Sequence, residues 1–573
     1  MRYLLPGILF FMTQAQGQLV INTISPSSGP VGTLVTITGS DFSPTASNNI
    51  VYFGAVRSTI SVASATSLQV TVPYGATYQP VSVTTLGLTC YSPLAFVVTF
   101  PGAGSITSTS FAPRQDIFIS NSVYDIPYSI TAVDLNGDGK PDLASAFGSV
   151  DQVYVVKNIS SPGTVDFATG LRLSVTGTPY DVAAGDLDGD GKFDLVTANN
   201  FANTVSILKN TSSGGNILFA SKIDLFAGSK PTHLCIDDLD GDGKPEIIVT
   251  NSEALTVSVF KNTSAGGTIS FAAKTDFTTG TTPLRVASAD FNGDNKPDLA
   301  ITNNGANTIS ILKNTSAGGV ISFSPKSDFT AGNVPIGISV IDADADNKPD
   351  LVVSNSGDTT ISVFRNTSTS TTISFASKTN FAVGFNPRSI AVNDLDGDGM
   401  ADLAVANFGG NNVSILKNTS TSGAISFATK INYPSRGNPN DIAGGDLDGD
   451  GRPEISVADE FPVIGVFRNI ANEPNITSFT PSIATPGSTI TVTGTNFNGT
   501  TAVNVGGVSA NSFNVVSAST ITAVVATGAA PGDVTVTTSY GTATLGGFSI
   551  SGPPAIMSFS PTSGAVGTIV KLN

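Results

Sequence analysis

The sequence contains no tryptophan, one histidine and two cysteines in 573 residues. The histidine, His233, has no evident carboxylate partner, so no Ser/His/Asp or Cys/His set can be assembled and an enzyme is not expected. Cys90 and Cys235 each lie in an apolar run typical of a strand, where a lone cysteine is usually a small buried hydrophobe. We therefore expect no disulfide between them. Without tryptophan, stacking on a sugar would depend on phenylalanine and tyrosine.

Charged residues are also scarce, at 12% of the chain. Lysine and arginine form no cluster, so a nucleic-acid partner is not expected, because phosphate binding requires concentrated positive charge. Beyond the N-terminus, no apolar run approaches the roughly 20 residues that a membrane-spanning helix needs. The abundant Gly, Ser, Thr, Asn and Val suit short strands and turns.

The first residues carry one positive charge and then a short apolar run. Small residues, Ala15 and Gly17, precede a plausible cleavage point before Gln18. This order predicts a secretory signal peptide over residues 1–17 and hence a secreted or cell-surface protein.

An acidic segment recurs seven times along the chain. Its second copy, residues 186–194, is Asp-Leu-Asp-Gly-Asp-Gly-Lys-Phe-Asp, and each copy begins 52 residues after the one before it. A fixed period of this size indicates an array of one repeated supersecondary unit. More than half of the 43 acidic residues fall in these segments, so the formal charge of −16 is concentrated there.

Each segment places oxygen-bearing side chains at its positions 1, 3, 5 and 9. Carboxylates this close repel one another unless a cation lies between them, and oxygen ligands suit a hard cation such as Ca2+. Solvated acidic turns are the alternative, but seven in register are hard to explain in that way. We therefore predict up to seven Ca2+ ions, one per segment, with the backbone carbonyl of position 7 as a further ligand.

The predicted metal ligands are Asp134, Asn136, Asp138, Lys140 and Asp142; Asp186, Asp188, Asp190, Lys192 and Asp194; Asp238, Asp240, Asp242, Lys244 and Glu246; Asp290, Asn292, Asp294, Lys296 and Asp298; Asp342, Asp344, Asp346, Lys348 and Asp350; Asp394, Asp396, Asp398, Met400 and Asp402; and Asp446, Asp448, Asp450, Arg452 and Glu454.

These segments differ from EF-hand loops. An EF-hand needs a bidentate glutamate at position 12 between two helices, whereas position 12 here is Ser, Thr, Val or Ile and the next residues are typical of a strand. The segments are predicted to be β-hairpin loops.

The Asp-x-Asp-x-Asp-Gly-x-x-Asp pattern resembles the FG-GAP, or VCBS, repeat of integrin α-chain propellers over residues from about 105 to 470. The fifth loop departs from it, with Ala345 and Asn347 where glycines are usual, and the fourth has Asn295. Alanine does not tolerate the left-handed region well, so we expect the fifth site to be the weakest.

Each repeat contains four strand-like runs, which predicts an all-β, seven-bladed β-propeller over residues 105–472. Phe167, Phe219, Phe271, Phe323, Phe375 and Phe427 are predicted to mark the fourth strand of six blades. The seventh repeat lacks that strand, and residues 108–119, which precede the first loop, are predicted to complete it and close the ring.

The flanking segments resemble IPT/TIG immunoglobulin-like β-sandwiches. The motifs are Thr-Gly-Ser-Asp-Phe at 38–42 and Thr-Gly-Thr-Asn-Phe at 493–497, each after a proline- and glycine-bounded strand. We place one such domain at residues 18–102 and another at 473–551. Residues 552–573 would begin a third, truncated copy, so the chain is expected to be a piece of a longer protein.

Asn-x-Ser triplets also follow the period, beginning at Asn158, Asn210, Asn262, Asn314, Asn366 and Asn418. They could be glycosylated in a eukaryotic secretory pathway, or they could be structural, since Asn and Ser form turns at strand ends.

In the resembled family, ligands often engage the face opposite the calcium loops. That face is predicted to consist of the connections from the second to the third strand and from the fourth to the first. Residues that depart from the repeat are expected there: Phe201, His233, Glu253, Arg285, Asp358, Arg388, Phe408, Arg436 and Phe461.

The sequence thus indicates a calcium-binding protein that acts in adhesion or extracellular binding. Its expected partner is an extracellular protein or glycan. Two alternatives stay open. One is a carbohydrate-active protein, either a calcium-dependent lectin or the non-catalytic part of a polysaccharide-degrading enzyme. The other is a structural spacer in a larger surface protein.

Overall fold

The computed structural model describes residues 18–100, 106–119, 125–538, 540–551 and 558–572. The predicted signal peptide lies outside these residues. The chain divides into two compact units, Met1–Ala471 and Asn472–Asn573. Within the described ranges, no helix is long and apolar enough to cross a membrane.

The first unit begins with a β-sandwich. Its main sheets have the strand orders β1-β3-β7-β6 and β5-β4-β8-β9, and β10 pairs with β2. Alternate residues of β3 and β7 are buried, as expected for strands with one face on a core. The strands are β1 Val20–Ser25, β2 Ser28–Pro30, β3 Leu34–Ser40, β4 Asn49–Phe53, β5 Val56–Arg57, β6 Thr59–Ala63, β7 Ser67–Thr71, β8 Pro80–Thr85, β9 Leu88–Ala95 and β10 Val97–Thr99, with one 3-10 turn, Ala46–Asn48.

The rest of the first unit forms seven antiparallel sheets of four strands. The strands are β11 Gln115–Phe118; β12 Pro127–Val133, β13 Asp142–Phe147, β14 Gln152–Val156, β15 Leu171–Ser174; β16 Pro179–Gly185, β17 Asp194–Asn199, β18 Thr204–Leu208, β19 Ile223–Phe226; β20 Pro231–Asp237, β21 Glu246–Asn251, β22 Thr256–Phe260, β23 Thr275–Thr278; β24 Pro283–Ala289, β25 Asp298–Asn303, β26 Thr308–Leu312, β27 Ser327–Thr330; β28 Pro335–Ile341, β29 Asp350–Asn355, β30 Thr360–Phe364, β31 Thr379–Ala382; β32 Pro387–Asn393, β33 Asp402–Asn407, β34 Asn412–Leu416, β35 Ile431–Pro434; and β36 Pro439–Gly445, β37 Glu454–Asp459, β38 Val463–Phe467.

The seven sheets close into a ring, which makes this part a β-propeller. The first strand of each blade contacts the first strands of both neighbouring blades, and β12 contacts β36. The second strand of every blade is buried along its whole length, because it is covered by the blades on both sides.

Strand β11 lies in the last blade. It pairs antiparallel with β38, from Gln115 opposite Val466 to Phe118 opposite Val463, and the strand order is β11-β38-β37-β36. The seventh blade is therefore built from both ends of the propeller segment, and β11 lies within residues 108–119.

The phenylalanines expected in the fourth strands lie before those strands. Phe167 forms an isolated bridge with Asn158, four residues before β15, and the five equivalent phenylalanines do the same. The prediction of their location was wrong because a bridged turn separates the third strand from the fourth. Phe111 makes the corresponding bridge with Asn469 in the seventh blade.

The asparagines of the Asn-x-Ser triplets connect neighbouring blades. Asn262 Nδ2 donates to the carbonyl of Leu187 in the preceding blade at 2.9 Å and to that of Pro245 in its own blade at 2.9 Å. All seven blades have an asparagine bonded to the preceding blade, at Asn158, Asn210, Asn262, Asn314, Asn366, Asn418 and Asn469. These side chains are buried, which favours the structural interpretation of the triplets over glycosylation.

The second unit is another β-sandwich, with sheets β39-β41-β45-β44 and β40-β47-β46-β42-β43, followed by the pair β48-β49. Its strands are β39 Asn475–Thr480, β40 Ile483–Ala484, β41 Thr489–Thr495, β42 Ala502–Val505, β43 Val508–Ser509, β44 Ser512–Ser517, β45 Thr520–Val524, β46 Gly532–Thr538, β47 Gly541–Ile550, β48 Phe559–Ser560 and β49 Lys571–Leu572.

Candidate metal sites in the hairpin loops

Each acidic segment joins the first and second strands of a blade. In the second blade, Asp186 follows β16 directly and Asp194 is the first residue of β17. The seven loops are therefore hairpin connections at one end of the innermost strands.

The aspartate at position 1 curls the loop around its own carboxylate. Asp186 Oδ1 accepts hydrogen bonds from the N–H groups of Gly189 at 2.9 Å and Asp190 at 3.1 Å, and Oδ2 accepts one from Gly191 at 2.9 Å. Gly189 and Gly191 have φ of 72° and 81°, a region that glycine adopts without a steric cost.

The acid at position 9 ties the loop to the end of the third strand. Asp194 Oδ2 accepts from Leu187 N at 3.1 Å, and Oδ1 accepts from Asn210 N at 2.8 Å. The same two bonds occur in every blade.

Positions 1, 3 and 9 converge in five loops. One carboxylate oxygen from each of the three residues lies within 4.8 Å of the other two in the triads Asp186, Asp188, Asp194; Asp238, Asp240, Glu246; Asp342, Asp344, Asp350; Asp394, Asp396, Asp402; and Asp446, Asp448, Glu454. In the other two loops, Asn136 and Asn292 occupy position 3. The acids at position 5 are not members of these triads, and the position-7 carbonyls remain predicted ligands.

Burial raises the pKa of the acids at positions 1 and 9. It raises the pKa of Asp186 to about 7 and that of Asp194 to about 8, and neighbouring carboxylates add to the shift. In the third loop, burial raises the pKa of Glu246 to about 9. Ionising these groups therefore costs free energy unless a cation compensates them.

A basic side chain from the end of the third strand faces each loop. Lys209 pairs with Asp188, Lys261 with Asp240 and Lys417 with Asp396. The other blades have Lys157, Lys313, Arg365 and Arg468 at distances of 3.3 to 3.9 Å from an acid of position 3 or 5. These basic residues were not predicted from the sequence, although each one stands directly before a periodic asparagine, which could have revealed them.

The oxygen atoms that converge in the five triads fit a hard divalent cation. The converging side-chain atoms are oxygens, the ligands that Ca2+ and Mg2+ prefer, and a negative triad can compensate a positive ion. In the fifth loop, Asp344 Oδ1 is buried without a hydrogen-bond partner.

The first sandwich lies against these loops. Its contacts include a hydrogen bond from Asp134 N to the carbonyl of Ala55 at 3.1 Å. Three further hydrogen bonds run from the sandwich to the loops: Tyr52 Oη to Gly191 O at 2.7 Å, Thr89 N to Gly243 O at 2.6 Å, and Gly75 N to Asp446 Oδ2 at 3.1 Å.

Three residues predicted to lie in the connections of the opposite face lie instead on inner strands. These are His233 on β20, Arg285 on β24 and Arg388 on β32. The placement was wrong because each inner strand begins at its proline, so these residues already belong to the strand. His233 and Arg285 line the channel, whereas the Arg388 guanidinium lies over the ring of Phe408. Phe201 does lie in a connection, 64% exposed, with Lys230 Nζ 3.5 Å from its ring centre.

Fold and loops together define an all-β repeat propeller with acidic hairpin loops, flanked by immunoglobulin-like sandwiches. The FG-GAP-like repeat model matches residues 134–197, 186–249, 238–301, 290–353, 342–405 and 394–457, which together cover more than half of the chain. The protein belongs to the FG-GAP-like repeat family. The IPT/TIG domain model matches residues 19–98 and 474–552, so the resemblances to both families are confirmed.

Several solved structures are similar to this chain. A protein of unknown function from Bacteroides thetaiotaomicron is 13% identical in sequence, and the match covers 79% of this chain and 99% of that protein, with a TM-score of 0.32. An auxiliary nutrient binding protein from the same organism is 13% identical, covering 79% and 98%, with a TM-score of 0.35. A protein from Lactobacillus plantarum is 15% identical, covering 68% and 97%, with a TM-score of 0.38. A comparison with curated proteins found no match.

Proposed function

We propose that this protein is a secreted or cell-surface calcium-binding protein of adhesion or extracellular binding, and that it is not an enzyme. The observation that carries the calcium part is the recurrence of three converging acids at the same place in five blades. In the other two loops, asparagine supplies the oxygen at position 3.

Calcium would act mainly on stability. An ion in each loop would neutralise carboxylates whose ionisation burial disfavours, and it would hold the first two strands of the blade in register. Because the first sandwich lies against the loops, the ions would also stabilise the surface on which that sandwich rests.

We expect chelation to lower the melting temperature strongly and calcium to restore it. The matched variants are Glu246→Gln, at position 9 of the third loop, and Glu253→Gln, an exposed residue seven positions later. Glu246→Gln should reduce the stoichiometry of bound calcium by about one ion in calorimetry, whereas Glu253→Gln should leave it unchanged. A melting temperature that does not change with chelator would contradict the proposal.

The binding role is supported by residues that break the repeat on the face opposite the loops. Phe201, Phe408 and Phe461 lie in connections whose other residues are mostly small or polar. A screen of extracellular glycoproteins and polysaccharides, with and without calcium, would score both retention and released product. Retention without product would support the proposal, and a released product would overturn the assignment as a non-enzyme.

A further inference from the structure

The channel along the propeller axis carries a ring of residues that do not follow the repeat. The residue two positions after the first proline of each inner strand is Ser129, Asp181, His233, Arg285, Gly337, Ser389 or Asp441. The acidic loops at the end of the same strands are nearly identical between blades. We call these seven positions the polar ring.

Side chains of the polar ring extend across the channel. Arg285 Nη2 lies 2.8 Å from Asp441 Oδ1, and Arg285 Nη1 donates to Ser389 Oγ at 3.1 Å. Arg285 belongs to the fourth blade and Asp441 to the seventh, and these blades are not neighbours. A bond between them has to span the lumen.

His233 and Asp181 form the other half of the ring. His233 Nε2 lies 3.6 Å from Asp181 Oδ2, and His233 Nδ1 accepts a hydrogen bond from Val286 N at 3.4 Å. This assigns the proton of a neutral imidazole to Nε2, on the side of Asp181. The His233 and Arg285 side chains keep 19% and 18% of their surface accessible, so both reach open space.

A cavity of about 540 Å³ runs from the polar ring to the first sandwich. Below the ring it is lined by small residues of the inner strands, among them Ala183, Ala287, Ala391 and Ala443, and at the far end by Tyr78 of the sandwich. Pockets for small ligands typically measure about 300–1,000 Å³. The small residues leave room that larger side chains would fill.

The charges of the ring select among ligand classes. Asp181 and Asp441 carry acceptor oxygens and Arg285 carries donor N–H groups, all within one lumen. The hydroxyl of Ser389 is already used, because it donates to Asp441 Oδ1 at 2.5 Å and accepts from Arg285. A free anion would meet two carboxylates and a free cation would meet a guanidinium. Hydroxyl groups both donate and accept, so a neutral polyhydroxylated molecule can bond to either kind of group without burying an uncompensated charge.

We propose that the channel binds one neutral polyhydroxylated molecule of monosaccharide size, held by Asp181, His233 and Arg285. None of these three residues is a predicted calcium ligand. Asp238 and Asp290, which are predicted ligands, also line the cavity, so the test is made at saturating calcium.

His233 supplies a site-specific probe because it is the chain's one histidine. The full chain, prepared without a histidine tag and with isotope-labelled histidine, is titrated at saturating calcium with glucose, galactose and mannose. We expect at least one sugar to shift the imidazole signals saturably. Glucuronate and glucosamine, which add a negative or a positive charge to the same ring, should shift them far less.

Two variants test whether the ligand binds inside the cavity. Ala287→Leu fills the cavity without removing a hydrogen bond and should abolish the shift, whereas Ala254→Leu, in an exposed turn, should not change it. If Ala287→Leu fails to fold, Arg285→Lys keeps the charge but loses the planar fork and should weaken binding about tenfold. No shift with any neutral sugar, an equal response to the charged sugars, or a shift that survives a folded Ala287→Leu would each overturn the proposal.

Discussion

At the scale of single residues, the periodic asparagines show how one side chain can join two blades. Asn262 Nδ2 satisfies two carbonyls, and its Oδ1 accepts from Ser264 N at 2.8 Å. These groups are buried, so water cannot replace the asparagine.

Replacing Asn262 by alanine should destabilise the propeller by about 1–3 kcal/mol for each buried group left unpaired. The control is Asn216→Ala, in an exposed turn, which should change the stability little. Chemical denaturation of both variants measures the difference. Equal stabilities would show that the inter-blade bonds contribute nothing.

The raised pKa values of the loop acids predict that the pH dependence of folding stability reverses when calcium is removed. In chelator, acids such as Asp194 have a folded-state pKa near 8 against an ordinary value of 3.8. The folded state then binds more protons than the unfolded state between about pH 4 and pH 8, so stability falls as pH rises through this window.

The melting temperature in chelator should therefore be higher at pH 5 than at pH 8. The loop acids bind calcium as ionised carboxylates, so with calcium present the melting temperature should be higher at pH 8 than at pH 5. Thermal melts at the two pH values, with and without calcium, test this. A chelated protein that is more stable at pH 8 would contradict the assignment of the loop acids.

Much of the loops could be predicted from sequence, because their chemistry is local. Ala345 and Asn347 do adopt positive φ, at 56° and 63°, where the other loops use glycine or asparagine. The basic residues that face the loops were not predicted, since Lys209 lies 21 residues from Asp188 and only the fold brings them together.

At the scale of elements, two glycines at loop position 4 have the same backbone conformation but differ in their contact with the first sandwich. Comparing them distinguishes the cost of backbone strain from the cost of a disturbed contact. Gly189 and Gly293 both have φ of 72°. A Cβ at Gly189 would overlap the backbone of Gly87 in the first sandwich, whereas one at Gly293 would meet nothing within 4 Å.

Gly293→Ala should therefore cost only about 1–2 kcal/mol of left-handed strain. Gly189→Ala should cost more, because the sandwich must also move away from the second loop. Calorimetric melts of both variants, together with proteolysis of the segment between sandwich and propeller, compare the two. Identical behaviour would show that the contact between Gly87 and Gly189 is dispensable.

The strand pattern predicted the hairpin loops and the number of strands per blade, because the hydrophobic alternation is local. It misplaced the periodic phenylalanines, because a bridged turn such as that of Phe167 has the same apolar residues as a strand. It also misplaced His233 and Arg285, whose partners Asp181 and Asp441 lie in other blades.

At the scale of the whole molecule, the propeller is closed by a strand from its N-terminal end. Phe111 contributes to this closure. It is buried, bridges Asn469, and packs edge-on against Tyr433 with ring centres 5.1 Å apart. Phe427 has the same bridging role in the sixth blade, where the chain is continuous.

Phe111→Ala and Phe427→Ala should each cost about 3–5 kcal/mol, typical of a buried phenylalanine. Phe111→Ala should in addition release β11 and expose β38 as an edge strand, which favours association. Light scattering should then show oligomers of Phe111→Ala that increase with concentration, and monomers of Phe427→Ala. Monomers in both cases would mean that the closure does not depend on Phe111.

The pairing of β11 with β38 also has a mechanical consequence. Gln115 lies opposite Val466, so the chain enters the seventh blade and leaves it at the same end of this strand pair. Tension applied between residues 106 and 471 would load the hydrogen bonds of the pair one after another, as in opening a zipper. A ring closed in this way would resist heat far better than it resists being pulled.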